Sequence, residues 1–90
     1  MTNNFLCRPY RAGDEEAIVQ LLTLVFSGWP HLDLSCTPLD HWRWKHLDNP
    51  IERGLVFVSE KDDNLIGCSH RVPIRIKIND DVHLCYRGAD

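Results

Sequence analysis

Apolar and polar positions repeat with two different periods along these 90 residues. Phe5 to Tyr10 is a short apolar-aromatic stretch, stopped at Pro9 and Gly13, and predicts a first strand. Gly13-Asp14-Glu15-Glu16 then places three acids where a helix would begin, at the end of the helix dipole that favours negative charge. Ile18, Leu21, Leu22, Val25 and Phe26 follow at i, i+3, i+4, i+7 and i+8, which puts all five on one face of an amphipathic helix. Residues 27–36 hold no sustained period and read as a loop. Its Trp29, Leu32 and Leu34 are costly to leave in water, so the loop should be packed. Thr37-Pro38-Leu39-Asp40 opens a second helix: Thr37 can cap the free amides, Pro38 suits the first helical position, and Asp40 stands where a capping-box acid reaches back. That helix should end by Asn49, because Pro50 disfavours helical backbone at the residue before it.

The second half of the chain changes period. Gly54 to Glu60 carries apolar residues on both faces, which predicts an interior strand covered on both sides. After the polar turn at Lys61-Asp62-Asp63, Asn64 to Ile78 reads as one long strand, with Ile74, Ile76 and Ile78 pointing one way and Arg75 and Lys77 the other. Pro73 cannot donate to a ladder, so a bend or bulge is expected there. Asn79-Asp80-Asp81 makes a hairpin turn, and Val82 to Arg87 is the returning strand. The order is β-α-α-β-β-β. It implies an α/β (α+β) fold with a largely antiparallel sheet and no internal repeat or linker, a single unit over residues 1–90.

Composition narrows the classes of function. Ten Lys and Arg against thirteen Asp and Glu give a net charge of −3. That balance supplies no broad footprint for nucleic acid or an anionic membrane surface. No apolar run approaches the roughly 20 residues of a membrane span. The Met-Thr-Asn-Asn start lacks the regions of a secretory signal, so a cytoplasmic location is expected. Cys7, Cys36, Cys68 and Cys85 form no C-x-x-C pair, and three of the four fall in strands as small hydrophobes. They are read as reduced thiols.

The candidate chemistry is sparse. His41 and His46 are five apart on the second helix, where ligands sharing a face sit three or four apart. No Cys pair has zinc-finger spacing, so no metal site is expected. His70 and His83 could approach across the last hairpin. Cys36 precedes the second helix and is the one thiol with a partial case for a lowered pKa; packing is the alternative. No Gly-rich phosphate loop and no Gly-x-Ser-x-Gly elbow is present. The densest segment is Asp40-His41-Trp42-Arg43-Trp44-Lys45-His46. Helical residues two apart are about 200° apart around the axis, so Trp42 and Trp44 must face nearly opposite ways. Leu39, Trp42 and His46 make one stripe; Asp40, Trp44 and Leu47 make the other. The second tryptophan either packs under the 27–36 loop, lines a cleft or meets a partner.

Arg8-Pro9 with Asp14, Ala17 and Ile18 (R-P-x-x-x-x-D-x-x-A-I), the Leu39-Asp-His-Trp-Arg-Trp-Lys-His-Leu-Asp-Asn-Pro50 segment and Leu65-Ile-Gly67 together resemble the N-terminal half of a GNAT-type N-acetyltransferase. The resemblance implies an acyl-CoA N-acyltransferase fold and transfer of an acetyl group from acetyl-CoA to an amine. It also implies a coenzyme pyrophosphate held by backbone amides of an R/Q-x-x-G-x-G/A loop that opens a third helix. No such string occurs in residues 1–90. The expectation is therefore a partial domain without its acetyl-CoA-binding half, inactive in isolation, with no tight coenzyme binding of its own.

What the resemblance leaves is the acceptor side, a wall for a small-molecule or peptide amine. The lining candidates it implies are Trp29, His31 and Asp33 in the loop, with His41 and Trp44 from the helix; packing or solvation is the alternative for each. An acid near a strand end, such as Glu60 or Asp90, could help deprotonate an ammonium, but no catalytic residue is assigned. Without a further strand, 82–87 would be an open edge and a route to a homo-oligomer. The rival is a non-catalytic interaction module that binds a protein through the tryptophan helix or that strand edge.

Overall fold

A computed structural model describes residues 5–30 and 35–89. The elements run β1 (Phe5–Pro9), α1 (Glu15–Val25), α2 (Pro38–His46), β2 (Leu55–Lys61), β3 (Asn64–Ile78) and β4 (Asp81–Ala89). The fold is α+β: one antiparallel sheet in the order β1-β2-β3-β4, with both helices against the same face. The core joins Ile18 and Leu22 of α1, Trp29 of the connecting loop, Trp42 of α2, and Val56 and Val58 of β2.

Local chemistry accounts for the elements. Thr37 has extended backbone and its Oγ1 accepts the Asp40 N–H at 3.1 Å, while Pro38 occupies the first turn, so α2 starts where its capping signal stands. It stops at His46, with Leu47 closing the last turn. At the end of α1, Ser27 (φ 54°) and Gly28 (φ 120°) adopt left-handed backbone, and the Gly28 N–H bonds the Thr23 carbonyl at 2.8 Å. That 6→1 closure turns the chain back so that Trp29 packs into the core. The loop is packed at Trp29 as its composition requires; Leu32 and Leu34 lie outside the described residues.

Gly54 is where α2 meets the sheet. Its N–H bonds the His46 carbonyl at 2.8 Å, and an added Cβ would lie 3.0 Å from the Arg71 carbonyl oxygen. A side chain here would push these two backbone segments apart by a few tenths of an ångström. Asp62 (φ 52°) and Asp63 (φ 65°) form the two-residue turn from β2 to β3, both left-handed, the backbone whose twist matches a tight hairpin.

Three expectations are corrected. β2 is interior in the sheet, but only one of its faces is covered: Val56 and Val58 are buried, whereas Leu55 and Phe57 are exposed. Apolar residues on both faces of a strand do not require two covering layers. Of the bend or bulge expected at Pro73, the bulge is absent, since β3 and β4 stay in register from His70↔Ala89 to Ile78↔Asp81. β2 ends opposite Arg71, so at Pro73 the long strand has one partner, a setting in which a strand proline is tolerated. The irregularity falls earlier, between Ser59↔Gly67 and Glu60↔Leu65, leaving Ile66 as the extra residue. Finally, His70 pairs with Ala89 and His83 with Ile76, so these histidines do not meet across the hairpin.

Beyond Arg71 the β3–β4 hairpin continues as a two-stranded arm. The arm explains a radius of gyration of 15.1 Å and a longest dimension of 54 Å. A compact chain of this length would have a radius near 12 Å. Stability should therefore concentrate in the helix–sheet layer. Ile18→Ala, at a fully buried position, should cost about 2–5 kcal/mol in urea unfolding. Leu24→Ala on the exposed side of the same helix should stay within about 0.5 kcal/mol. Equal losses would show that α1 does not seat on the sheet as described.

Candidate functional site

The helical period separates the two tryptophans of α2 as their spacing requires. Trp42 is 0% exposed and Trp44 is 56% exposed. Trp42 lies among rings: Tyr10 at 5.4 Å, His46 at 5.3 Å and His70 at 6.1 Å between centroids. Its Nε1–H donates to His70 Nε2 at 3.0 Å, a bond that joins α2 to β3 and sets the acceptor nitrogen of that imidazole. The His46 and His70 rings are 4.3 Å apart, and both residues are buried.

A polar chain continues from this cluster to the start of α1. The Tyr10 hydroxyl donates to Glu15 Oε2 at 3.0 Å, the Gly13 N–H donates to Glu15 Oε1 at 2.6 Å, and Arg43 Nε lies 3.7 Å from Glu15 Oε2. Next to it, Arg8 makes paired bonds to Asp14 at 2.8 and 3.0 Å and reaches Glu60 at 3.3 Å. Arg8 holds the Asp14 carboxyl below its ordinary range, aided by the Arg11 N–H. Glu15 is lowered too, by its own backbone N–H first and then by Gly13, Tyr10 and Arg43. Burial, and then the bond to Glu15, raises the Tyr10 phenol.

The structure brings three of the five acceptor-lining candidates together. His41 lies 5.6 Å from Trp29 and 6.1 Å from Trp44, centroid to centroid, a row of three rings from buried Trp29 to exposed Trp44. His41 is half-buried, and burial, then the charge of Lys45, lowers its pKa below the ordinary imidazole value. His31 and Asp33 lie outside the described residues, as does Asp90. Glu60 is engaged by Arg8.

A hollow of about 280 Å³ runs between α1 and β3 and is lined by Leu22, Val25, Phe26, Cys68 and His70 among others. Burial raises the Cys68 thiol, which therefore stays protonated at neutral pH. All four cysteines are free, and Cys36 is exposed. Among the described residues no group of three or more His, Cys, Asp or Glu is placed to hold a metal ion, and no helix is long and apolar enough to cross a membrane. The buried His46–His70 pair and the Glu15 network were not found from the sequence. His46 and His70 are 24 positions apart, and only strand register and helix rotation together bring them into contact.

Comparison with protein-family models, with curated proteins and with solved structures gives no match.

Asp14 and Glu15 titrate lower in the folded chain than in the unfolded one. Their stabilising contribution is thus complete above the unfolded values of about 4 and is lost as pH falls through the folded ones. Asp14→Asn should lower the thermal midpoint by several degrees at pH 7, with the gap to the unmodified chain closing as pH falls through the lowered folded-state value of Asp14. A gap that persists unchanged into acid would mean that the carboxylate charge is not what binds Arg8.

Proposed function

We propose that residues 1–90 form the acceptor-binding part of an N-acetyltransferase that takes acetyl groups from acetyl-CoA and delivers them to an amine. Two features support this. The strand-helix-helix order followed by three antiparallel strands is the order implied by the resemblance. More specifically, an imidazole of lowered pKa stands between two indoles, and this row carries the proposal.

An amine acceptor arrives as an ammonium, which must be recognised and then lose a proton. The exposed ring of Trp44 offers a π face to the cation. His41 is uncharged at neutral pH, so one ring nitrogen can accept the proton that leaves the ammonium, giving a neutral amine and an imidazolium. The residues present offer no amide cradle for a coenzyme pyrophosphate, because no R/Q-x-x-G-x-G/A string occurs among them. Acetyl-CoA should accordingly give no saturable heat when titrated into residues 1–90.

The acceptor proposal is tested by tryptophan fluorescence with a polyamine, an aminosugar and a peptide bearing a free N-terminal amine. At least one should quench saturably at pH 7.5. Binding should weaken only in acid below the ordinary imidazole value, once His41, whose pKa is lowered, takes up a proton and repels the cation. Trp44→Ala should abolish the response, and His41→Gln should remove its pH dependence while keeping binding. Absence of binding by all three, or a response unchanged in Trp44→Ala, would contradict the proposal. It would favour an interaction module instead, for which the specific observation is that β4 is paired on one side only, by β3, among the described strands.

A further inference from the structure

Three buried rings hold α2 on the sheet, and two of them are imidazoles that take up protons near neutrality when they meet water. Trp42 and His46 are 0% exposed and His70 is 3% exposed. The Trp42 Nε1–H donates to His70 Nε2 at 3.0 Å, and the His46 ring lies 4.3 Å from that of His70. An indole nitrogen can only donate, so His70 Nε2 must offer its lone pair. His70 is therefore docked as a neutral imidazole with its hydrogen on Nδ1. An imidazolium carries hydrogen on both nitrogens, and its Nε2–H would meet the indole N–H donor against donor. His70 takes a positive charge only by giving up the bond that joins α2 to β3.

The surrounding groups offer an imidazolium little support. From α1 come Ile18, Leu22 and Glu15, and the Glu15 carboxylate is already engaged by the Tyr10 hydroxyl, the Gly13 N–H and Arg43. α2 adds cations in its last turn, Arg43 and Lys45, along with His41. Tyr10, beyond the end of β1, packs on Trp42 and has Arg53 5.8 Å above its ring. β2 brings Val56 and Val58, and its Glu60 is bonded, like Asp14, to Arg8. On β3, burial keeps the Cys68 thiol protonated, and β4 places Ala89 opposite His70. A charge on His46 would face the neighbouring imidazole across 4.3 Å, so each histidine opposes ionisation of the other.

We infer that the Trp42–His70–His46 cluster is an acid-sensitive latch, in which proton uptake by the two imidazoles releases α2 from the sheet. Once α2 is undocked, both histidines meet water and titrate near the ordinary value of about 6.5. Below that pH the undocked form binds more protons than the docked one. Docking is thus fully favoured above about 6.5 and weakens as pH falls. Each imidazole that stays neutral while docked shifts the equilibrium about tenfold per pH unit below this value. The window lies above that of Asp14 and Glu15, whose contribution is lost only in stronger acid. Release of α2 also parts His41 and Trp44 from Trp29, which switches off the acceptor row; this consequence alone rests on the proposed function.

The test follows indole N–H exchange by NMR in residues 1–90 between pH 7.5 and 5.5. The ratio of Trp42 to Trp44 protection cancels the intrinsic pH dependence of exchange. In the unmodified chain this ratio should fall by about a hundredfold, tenfold from each histidine. His70→Gln keeps an acceptor for the indole but cannot titrate, and should show a fall of about tenfold. His70→Gln with His46→Phe should show none. His41→Gln should keep the full hundredfold fall, so the latch is read separately from titration in the amine site. Imidazole ¹⁵N shifts of the unmodified chain give a readout that needs no variant: docked His70 should stay neutral, with its hydrogen on Nδ1, down to pH 5.5. A flat ratio in the unmodified chain, an equal fall in the double variant, or a His70 that charges near pH 6.5 while Trp42 stays protected would overturn the inference. A latch that opens as described in a chain that binds no amine would contradict the amine site and uphold the latch.

Discussion

The hydrogen bond from the Trp42 indole to His70 is the constraint on which the rest depends. An isolated helix of nine residues, the length of α2, is not stable in water and takes its position from what it packs against. Trp42 supplies that packing, wholly buried between Tyr10, His46 and His70. An indole donor buried without an acceptor costs about 1–3 kcal/mol, so the helix is favoured in the one rotation that delivers it to His70. Helical geometry does the rest. With Trp42 turned inward, Trp44 must face out, and His41 stands beside it against Trp29. The candidate acceptor row is thus a geometric consequence of a core contact on the other side of the same helix.

A second anchor orders the start of the chain. Arg8 ties β1 to Asp14 at the head of α1 and to Glu60 in β2, and Tyr10 joins Glu15 to the aromatic cluster. These pairs draw acidic groups to the helix-bearing face. On the opposite face the charged strand residues are all cations, Lys61, Arg71, Arg75 and Lys77, beside exposed Leu55, Phe57 and Leu84. A chain that is mildly acidic as a whole therefore presents one basic, apolar sheet surface, a polarity that net charge alone conceals.

What the sequence made legible was local. Of the five residues whose spacing marked the apolar face of α1, Ile18 and Leu22 are buried while Val25 and Phe26 stay exposed; Thr37-Pro38 marked the start of α2, and the two tight turns delimited the meander. The opposed directions of Trp42 and Trp44 followed from helical geometry. What escaped was set by register between distant segments. His70 meets His46 and Trp42, not His83, because β3 runs antiparallel to β4 with Ile76 opposite His83. Arg8, Asp14 and Glu60 converge from three elements, and no local pattern marks them as partners. Leu55 and Phe57 suggested a second covering layer, although apolar side chains are common on exposed surface as well as in the core.

Hydrogen exchange at the three indole N–H groups tests the central claim most directly. In D₂O the Trp42 Nε1 proton should outlast that of Trp44 by orders of magnitude, since it is released only when α2 leaves the sheet. Its resonance should shift when His70 is replaced by phenylalanine. A Trp42 proton that exchanges as fast as that of Trp44 would contradict the account, because α2 would then not be pinned and nothing would hold His41 between its two rings.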